Sequence, residues 1–348
     1  MTTQQNKGWQ KKKFPLTDFL AEYIIKSVAF ICLAVIILIF IFIFKESLPI
    51  FSPQDDVSQN KEYLQSETYG LEKEDYSQNE QEVKSVSRTN YDKADLKNLT
   101  GKDWQPVGSK PKYGLLPLFI GSLKVTIIAL LFGAPLAIFA AIFTAVFASK
   151  RMREFIKPII ELLAGFPSVV IGFFALTTLA TLFQDIFHYQ YRLNAFVGGF
   201  AMALAVIPII YTITEDALTA VPKHMIEASL ALGANKWQTA MFVSIPVSAP
   251  GLFAALLLGF GRAFGETMIV LMATGNAPLT TANIFEPVRT FSATIGAEMA
   301  EVVFGDTHYT VLFLIGSLLF IVTFVINAIA EFYVRKRLLR RFGKELDE

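Results

Sequence analysis

The sequence predicts an all-α integral membrane protein with six transmembrane helices and both termini in the cytoplasm. Three observations lead there. Hydrophobic residues fill 53% of 348 positions, more than a soluble domain needs. Six apolar runs reach the length of about 20 residues that a bilayer crossing takes. They cover 24–44, 117–148, 159–183, 193–213, 249–275 and 309–331. Lysine and arginine collect on one side, the cytoplasmic one by the usual charge bias. That side carries Lys7, Lys11, Lys12 and Lys13; then Lys150, Arg151, Arg153 and Lys157; then Arg335, Lys336, Arg337, Arg340, Arg341 and Lys344. The opposite loops, 184–192 and 276–308, hold only Arg192 and Arg289.

Residues 1–23 read as a polar, basic cytoplasmic arm. The first helix, 24–44, has an apolar run from Ser27 to Phe44 that is too long for the core of a removed signal peptide, and no small-residue cleavage site follows Lys45. A long external loop, 45–114, comes next. Its middle, 52–99, is too polar to bury much surface, which predicts partial disorder or an accessory hairpin. The run at 117–148 exceeds one straight crossing and is expected to tilt or to lie partly at the interface. Pro135, Pro167 and Pro208 each remove an N–H inside a span, so each is a candidate kink. The chain closes with a basic cytoplasmic tail, 334–348.

Several functions are excluded or disfavoured. A net charge of +1 points to no nucleic acid. Cys32 is the only cysteine, and His188, His224 and His308 are scattered, so no metal-ligand spacing exists. No Gly-x-x-x-x-Gly-Lys-[Ser/Thr] loop is present to cradle ATP. No His, Asp or Cys cluster supports an enzyme acting on phosphate esters. No cofactor is expected.

Two stretches carry chemistry. The first is the cytoplasmic loop 214–248, which is patterned like a small folded object. Pro222 suits a first helical turn. Ile226, Leu230, Trp237 and Met241 are spaced to share one helical face. Gly233 stands where a short helix would end in a left-handed residue. Pro246 and Pro250 mark the return to the bilayer. The second is Gly259-Phe-Gly-Arg262-Ala-Phe-Gly-Glu266-Thr267 in the fifth span. An arginine in a span costs roughly 2.5–3.5 kcal/mol by insertion scales and faces a partner or a wet path. Glu266, four residues on, is expected one turn away on the same helix face. Gly259, Gly261 and Gly265 would let a helix or a substrate approach closely. An arginine fork matches a tetrahedral oxyanion, and a carboxylate beside it can accept a proton-borne hydrogen bond from that ion. Thr267 would add a hydroxyl. The alternative is a structural ion pair that locks two helices.

The loop resembles the EAA loop of ABC-importer permeases. Glu227, Ala228, Gly233, Val243, Ile245 and Pro246 fall on that pattern, with Ser229 in place of its second alanine. The alternative is an interfacial turn that only joins two spans. Gly261-Arg-Ala-Phe-Gly-Glu-Thr-Met268 with Ala273-Thr-Gly-Asn276 resembles the fifth span of PstC-type phosphate permeases. Ala164-Gly-Phe-Pro-Ser-Val-Val170, Tyr113-Gly114 with Pro117, and Ile284-Phe-Glu-Pro287 extend the likeness over about 105–345.

The resemblance implies a type I ABC-importer permease fold, with a permease core at 115–333. It implies a PstA-type permease partner, two copies of a cytoplasmic ATPase, and an external phosphate-binding protein. The setting implied is the bacterial inner membrane, with lipid around the bundle. It makes Glu227, Ala228, Gly233 and Pro246 ATPase-coupling residues, and Arg262, Glu266 and Thr267 the phosphate path. A sulfate or molybdate importer, or a carrier or channel working without an ATPase, are the rival readings.

Overall fold

The computed structural model describes residues 16–51, 96–108 and 110–342. Most of the basic arm, most of the 52–99 insert and the end of the basic tail lie outside the described residues.

Helix α1 (Leu16–Ser47) ends in a tight turn at Leu48–Ile50. After α2 (Leu96–Leu99), strands β1 (Trp104–Gln105) and β2 (Lys112–Tyr113) pair antiparallel, with Trp104 opposite Tyr113. Helix α3 (Leu116–Ile142) widens into a π-helical turn at Phe143–Phe147. Next come α4 (Lys150–Ala164) and α5 (Ser168–Phe174), then a second π turn at Ala175–Leu179, and α6 (Ala180–Phe187). Helix α7 (Ala195–Thr219) leads to α8 (Lys223–Ala231) and α9 (Lys236–Thr239). A third π turn, Ala240–Ser244, feeds α10 (Ile245–Phe264). The chain then forms α11 (Met268–Ala273), α12 (Phe291–Glu298) and α13 (Thr307–Phe342).

Among the described residues, six helical runs are long and apolar enough to cross a membrane: Leu20–Ile50, Leu116–Phe147, Ser168–Phe187, Ala195–Thr219, Lys236–Phe264 and Thr307–Phe332. Two differ from the sequence expectation. The third span starts at Ser168, because Gly165-Phe-Pro167 interrupts the apolar run expected from 159. Pro167 is the N-cap of α5. What precedes it is a separate amphipathic helix, α4, with no buried residue. The fifth span starts earlier, at Lys236, and stops at Phe264 instead of running to 275. Pro246 and Pro250 therefore sit inside one helical run instead of separating loop from span. Pro135 and Pro208 stay within intact α3 and α7, so of the three expected kinks only Pro167 marks a helix boundary.

The core lies where α3, α7 and α10 cross. Val125, Val197, Met202, Val206, Ile210 and Tyr211 are fully or almost fully buried there. Small residues bring the axes together, since in a bilayer close packing replaces water exclusion as the driving force. A β-carbon on Gly199 would fall 2.5 Å from Ile128 of α3, and one on Gly259 would fall 2.7 Å from Ile210 of α7. A second cluster joins Leu118, Phe264, Phe291, Val311, Leu312 and Ile315. It ties the ends of α3 and α10 to α12 and α13. Helix α1 lies along α13 through Phe40–Phe320 and Phe42–Phe313 ring contacts and otherwise exposes an apolar surface that suits lipid.

Helix α4 is stapled to the core by charge. Arg153 donates to the Thr144 and Ala145 carbonyls at 3.1 and 2.6 Å, inside the first π turn. Lys157 donates to Glu215 at 2.7 Å and to Asp216 at 3.1 Å. Glu215 is buried at the end of α7. Its hydrogen bond, with Asp216 assisting and burial opposing, holds the Lys157 ammonium protonated well above the ordinary lysine range.

Candidate functional site

The structure places the predicted residues at two stations. The first is the turn between α7 and α10. Pro222 caps α8, and Gly233 follows its last residues at φ +89°. The Gly233 N–H bonds the Leu230 carbonyl at 3.0 Å, and the Ala234 N–H bonds the Ser229 carbonyl at 3.2 Å. This pair of reversed bonds is the Schellman ending, which needs a left-handed residue at the glycine. Asn235 then opens α9 with a reciprocal capping box: its side chain accepts from the Gln238 N–H, and Gln238 accepts from the Asn235 N–H. The Asn-Lys-Trp-Gln spacing signals that box in the sequence. The Ser229 and Thr239 hydroxyls stand 3.0 Å apart and tie the two arms together. Ser229, the one departure from the EAA pattern, thus has a partner.

The expected face only partly forms. Leu230, Trp237 and Met241 are exposed, but Leu232 and Phe242 project further, at 90% and 78% exposure. The turn after Gly233 and the π turn at 240–244 break the single helical period that the spacing assumed. Glu227 and Ala228 lie exposed on α8, and Pro246 lies at the start of α10.

The second station is the end of α10. Arg262 occupies its last turn and is exposed. The helix stops at Phe264, so Glu266 is not one turn further on the same face. Among the described residues no ion pair joins Arg262 to Glu266. The ladder breaks at the Glu266 N–H, which bonds the Ala263 carbonyl at 3.2 Å in place of the Arg262 carbonyl, and the Glu266 carbonyl accepts the Ser292 hydroxyl of α12 at 2.5 Å. Glu266 itself is only 9% exposed. Thr267 is the N-cap of α11 without making a side-chain cap bond. The glycines divide in role. Gly259 admits α7, and a β-carbon on Gly261 would fall 3.1 Å from Asn327 of α13, whereas Gly265 meets only its own helix.

Beyond this break the chain turns at Gly275 and Asn276, with φ +77° and +48°. Asn276 accepts from Arg289 at 3.2 Å. Arg289 pairs with Glu298 at 2.6 Å. Glu298 also meets His308 at 2.9 Å and accepts from the Trp104 indole at 3.1 Å. Burial is the largest single influence on Glu298 and opposes its ionisation. The His308 and Trp104 hydrogen bonds and the Arg289 charge outweigh it and hold the carboxyl below its ordinary range. No sequence signal links these four residues, because Trp104 and Glu298 are 194 positions apart. Among the described residues no group of His, Cys, Asp and Glu could hold a metal.

Known proteins share this chain's pattern. The family described as "Binding-protein-dependent transport system inner membrane component" matches residues 133–339. The chain is 35% identical over 239 residues to the probable ABC transporter permease protein YqgH of Bacillus subtilis, covering 69% of this chain and 77% of that one. It is 34% identical over 264 residues to the phosphate transport system permease protein PstC of Mesorhizobium japonicum, covering 70% and 80%. Among solved structures it is similar to the inward-facing MetNI methionine ABC transporter, with a TM-score of 0.48 at 18% identity, covering 64% and 94%. The family match spans more than half of the chain and takes in both stations, so this protein belongs to the family of binding-protein-dependent transport system inner membrane components.

Proposed function

We propose that this chain is the PstC-type transmembrane subunit of an ATP-driven phosphate importer. The observation that carries the reading is Arg262. It is an arginine in a membrane span, exposed, with no ion pair among the described residues. A cation in that setting is costly until an anion meets it, and its planar fork suits a phosphate oxyanion. Glu266, nearly buried beyond the helix end, supplies an acceptor for the proton that phosphate retains at neutral pH. Sulfate carries no such proton. Thr267 adds a hydroxyl at the same break. The phosphate transport names of several relatives support the same cargo.

The mechanism follows from the two stations. The family's name implies a binding protein outside, and the absence of a phosphate loop in this sequence calls for an ATPase from another chain. The turn carrying Glu227, Ala228 and Gly233 would seat on that ATPase, with Leu232 and Phe242 as apolar anchors. Pro246 lies at the start of α10, whose last turn carries Arg262. Movement of the seated turn therefore travels along α10 to the oxyanion contacts. A PstA-type permease would complete the path as the second half of a heterodimer.

Arg262→Ala should abolish phosphate uptake in reconstituted vesicles while the complex still assembles. Uptake at the wild-type rate would overturn the pathway role. Excess sulfate should leave uptake of labelled phosphate unchanged; strong competition would move the assignment to a broader oxyanion importer. Uptake by this chain without an ATPase would move it to another class altogether.

A further inference from the structure

Helix α12 touches the break that carries Glu266 and Thr267, and it does so twice. The Ser292 hydroxyl, 4% exposed, donates to the Glu266 carbonyl at 2.5 Å. One turn on, a β-carbon at Gly296 would fall 2.7 Å from the Thr267 methyl. Positions four apart share one helix face, so one face of α12 meets two consecutive residues of the break. The helix itself is pinned at both ends. Thr290 caps it through the Ala293 N–H at 3.2 Å, and the Phe291 N–H bonds the Ser122 hydroxyl of α3 at 2.9 Å. At the far end Glu298 is gripped by Arg289, His308 and Trp104.

We propose that Ser292 and Gly296 are positioning residues for oxyanion binding. The proposal rests on reading Arg262, Glu266 and Thr267 as substrate contacts. Arg262 takes its position from α10, which packs on α7 through Gly259 and against Asn327 through Gly261. Glu266 and Thr267 lie beyond the end of α10 and take theirs from α12. The two halves of the site are thus placed by different elements. The separation between them is set by the bond at Ser292 and the contact at Gly296.

The geometry dictates the test. A methyl added at Gly296 cannot share space with the Thr267 methyl, so Thr267 must rotate and carry its hydroxyl away. Removing that methyl by Thr267→Ser restores the room and keeps the hydroxyl. In vesicles holding the complete complex with its ATPase and binding protein, Gly296→Ala should raise the half-saturating phosphate concentration about tenfold, since small misplacements at a site are costly. The maximal rate and the yield of assembled complex should change little. The Gly296→Ala/Thr267→Ser double variant should return to the value of Thr267→Ser alone. A purely structural role would lower assembly or maximal rate and leave the half-saturating concentration unchanged. Wild-type half-saturation in Gly296→Ala, or failure of the double variant to recover, overturns the inference. If Gly296→Ala does not assemble, Ser292→Ala decides: raised half-saturation supports positioning and a wild-type value overturns it. Arg262→Ala runs alongside. Normal uptake in that variant sinks the pathway reading and this inference with it. Loss of uptake there, with wild-type behaviour in the Gly296 and Ser292 variants, sinks only the positioning.

Discussion

The turn between α7 and α10 and the clamp around Glu298 hold their shapes by opposite means. The turn at 222–239 is made of short-range bonds. The Schellman ending at Gly233, the capping box at Asn235 and the Ser229–Thr239 contact all close within ten residues. The clamp around Glu298 draws Trp104, Arg289 and His308 from separate stretches. A structure closed by local bonds keeps its form while it is carried from place to place. One closed by distant groups keeps its form only while the elements that bear them stay put. That contrast suits the moving role proposed for the turn and a fixed role for the clamp.

The largest effect is expected at the clamp. Glu298→Gln removes the partner of Arg289 and His308 and should cost on the order of 3 kcal/mol, as breaking a buried ion pair does. Thermal unfolding of the purified complex at neutral pH measures it. The sign of its pH dependence follows from the lowered carboxyl. Its stabilisation is complete above the ordinary value of 4.5 and fades as pH falls through the lower native value. The gap between wild type and Glu298→Gln should therefore close on strong acidification. A gap that stays constant down to that range would show that charge is not what holds the clamp.

A smaller and more local effect is expected at Gly233. A β-carbon there would meet nothing within 4 Å, so the cost of Gly233→Val is backbone strain alone, about 1–2 kcal/mol. The complex should unfold at nearly the wild-type temperature while ATP hydrolysis and uptake come apart. Gly233→Asn, which tolerates left-handed backbone, should be milder. Equal coupling in all three would remove the turn from the transmission path. The smallest effect is expected for Asn235→Ala, about 1 kcal/mol for a lost cap. It should be read as faster amide exchange confined to 235–239. Faster exchange across the clamp as well would break the contrast between the two regions.

The same contrast explains what the sequence disclosed. Gly233 and Pro222 announced the turn because the reason for each residue lies within a few positions of it. Six spans were countable because apolar length is a local property. The start of the third span is hidden in the sequence because α4 carries Phe155, Ile156, Ile159 and Leu163 among its charges. Hydropathy alone does not separate such a surface helix from the span behind Pro167. The Arg262–Glu266 spacing misleads for a different reason. The helix ends two residues before Glu266, and the stretch beyond it is held by Ser292, 26 residues on; no local residue pattern shows that. Glu298 and His308 stayed hidden for the same reason, since their partners are assigned only by the fold.

Three of the six spans contain a π turn, at 143–147, 175–179 and 240–244. Such a turn holds one residue more than the α-helix around it. In a regular α-helix of 3.6 residues per turn, one extra residue would rotate everything downstream by about 100°; the wide turn absorbs it instead. The helical run from Lys236 to Phe264 therefore carries two apolar periods offset by one residue. A single 3.6-residue period read through 240–244 misplaces the face of Arg262 relative to that of Trp237. A single-residue deletion within 240–244 would close the wide turn into an ordinary α turn and leave Arg262 facing as it does. The bearing of the arginine is thus buffered by a spare residue stored some twenty positions away.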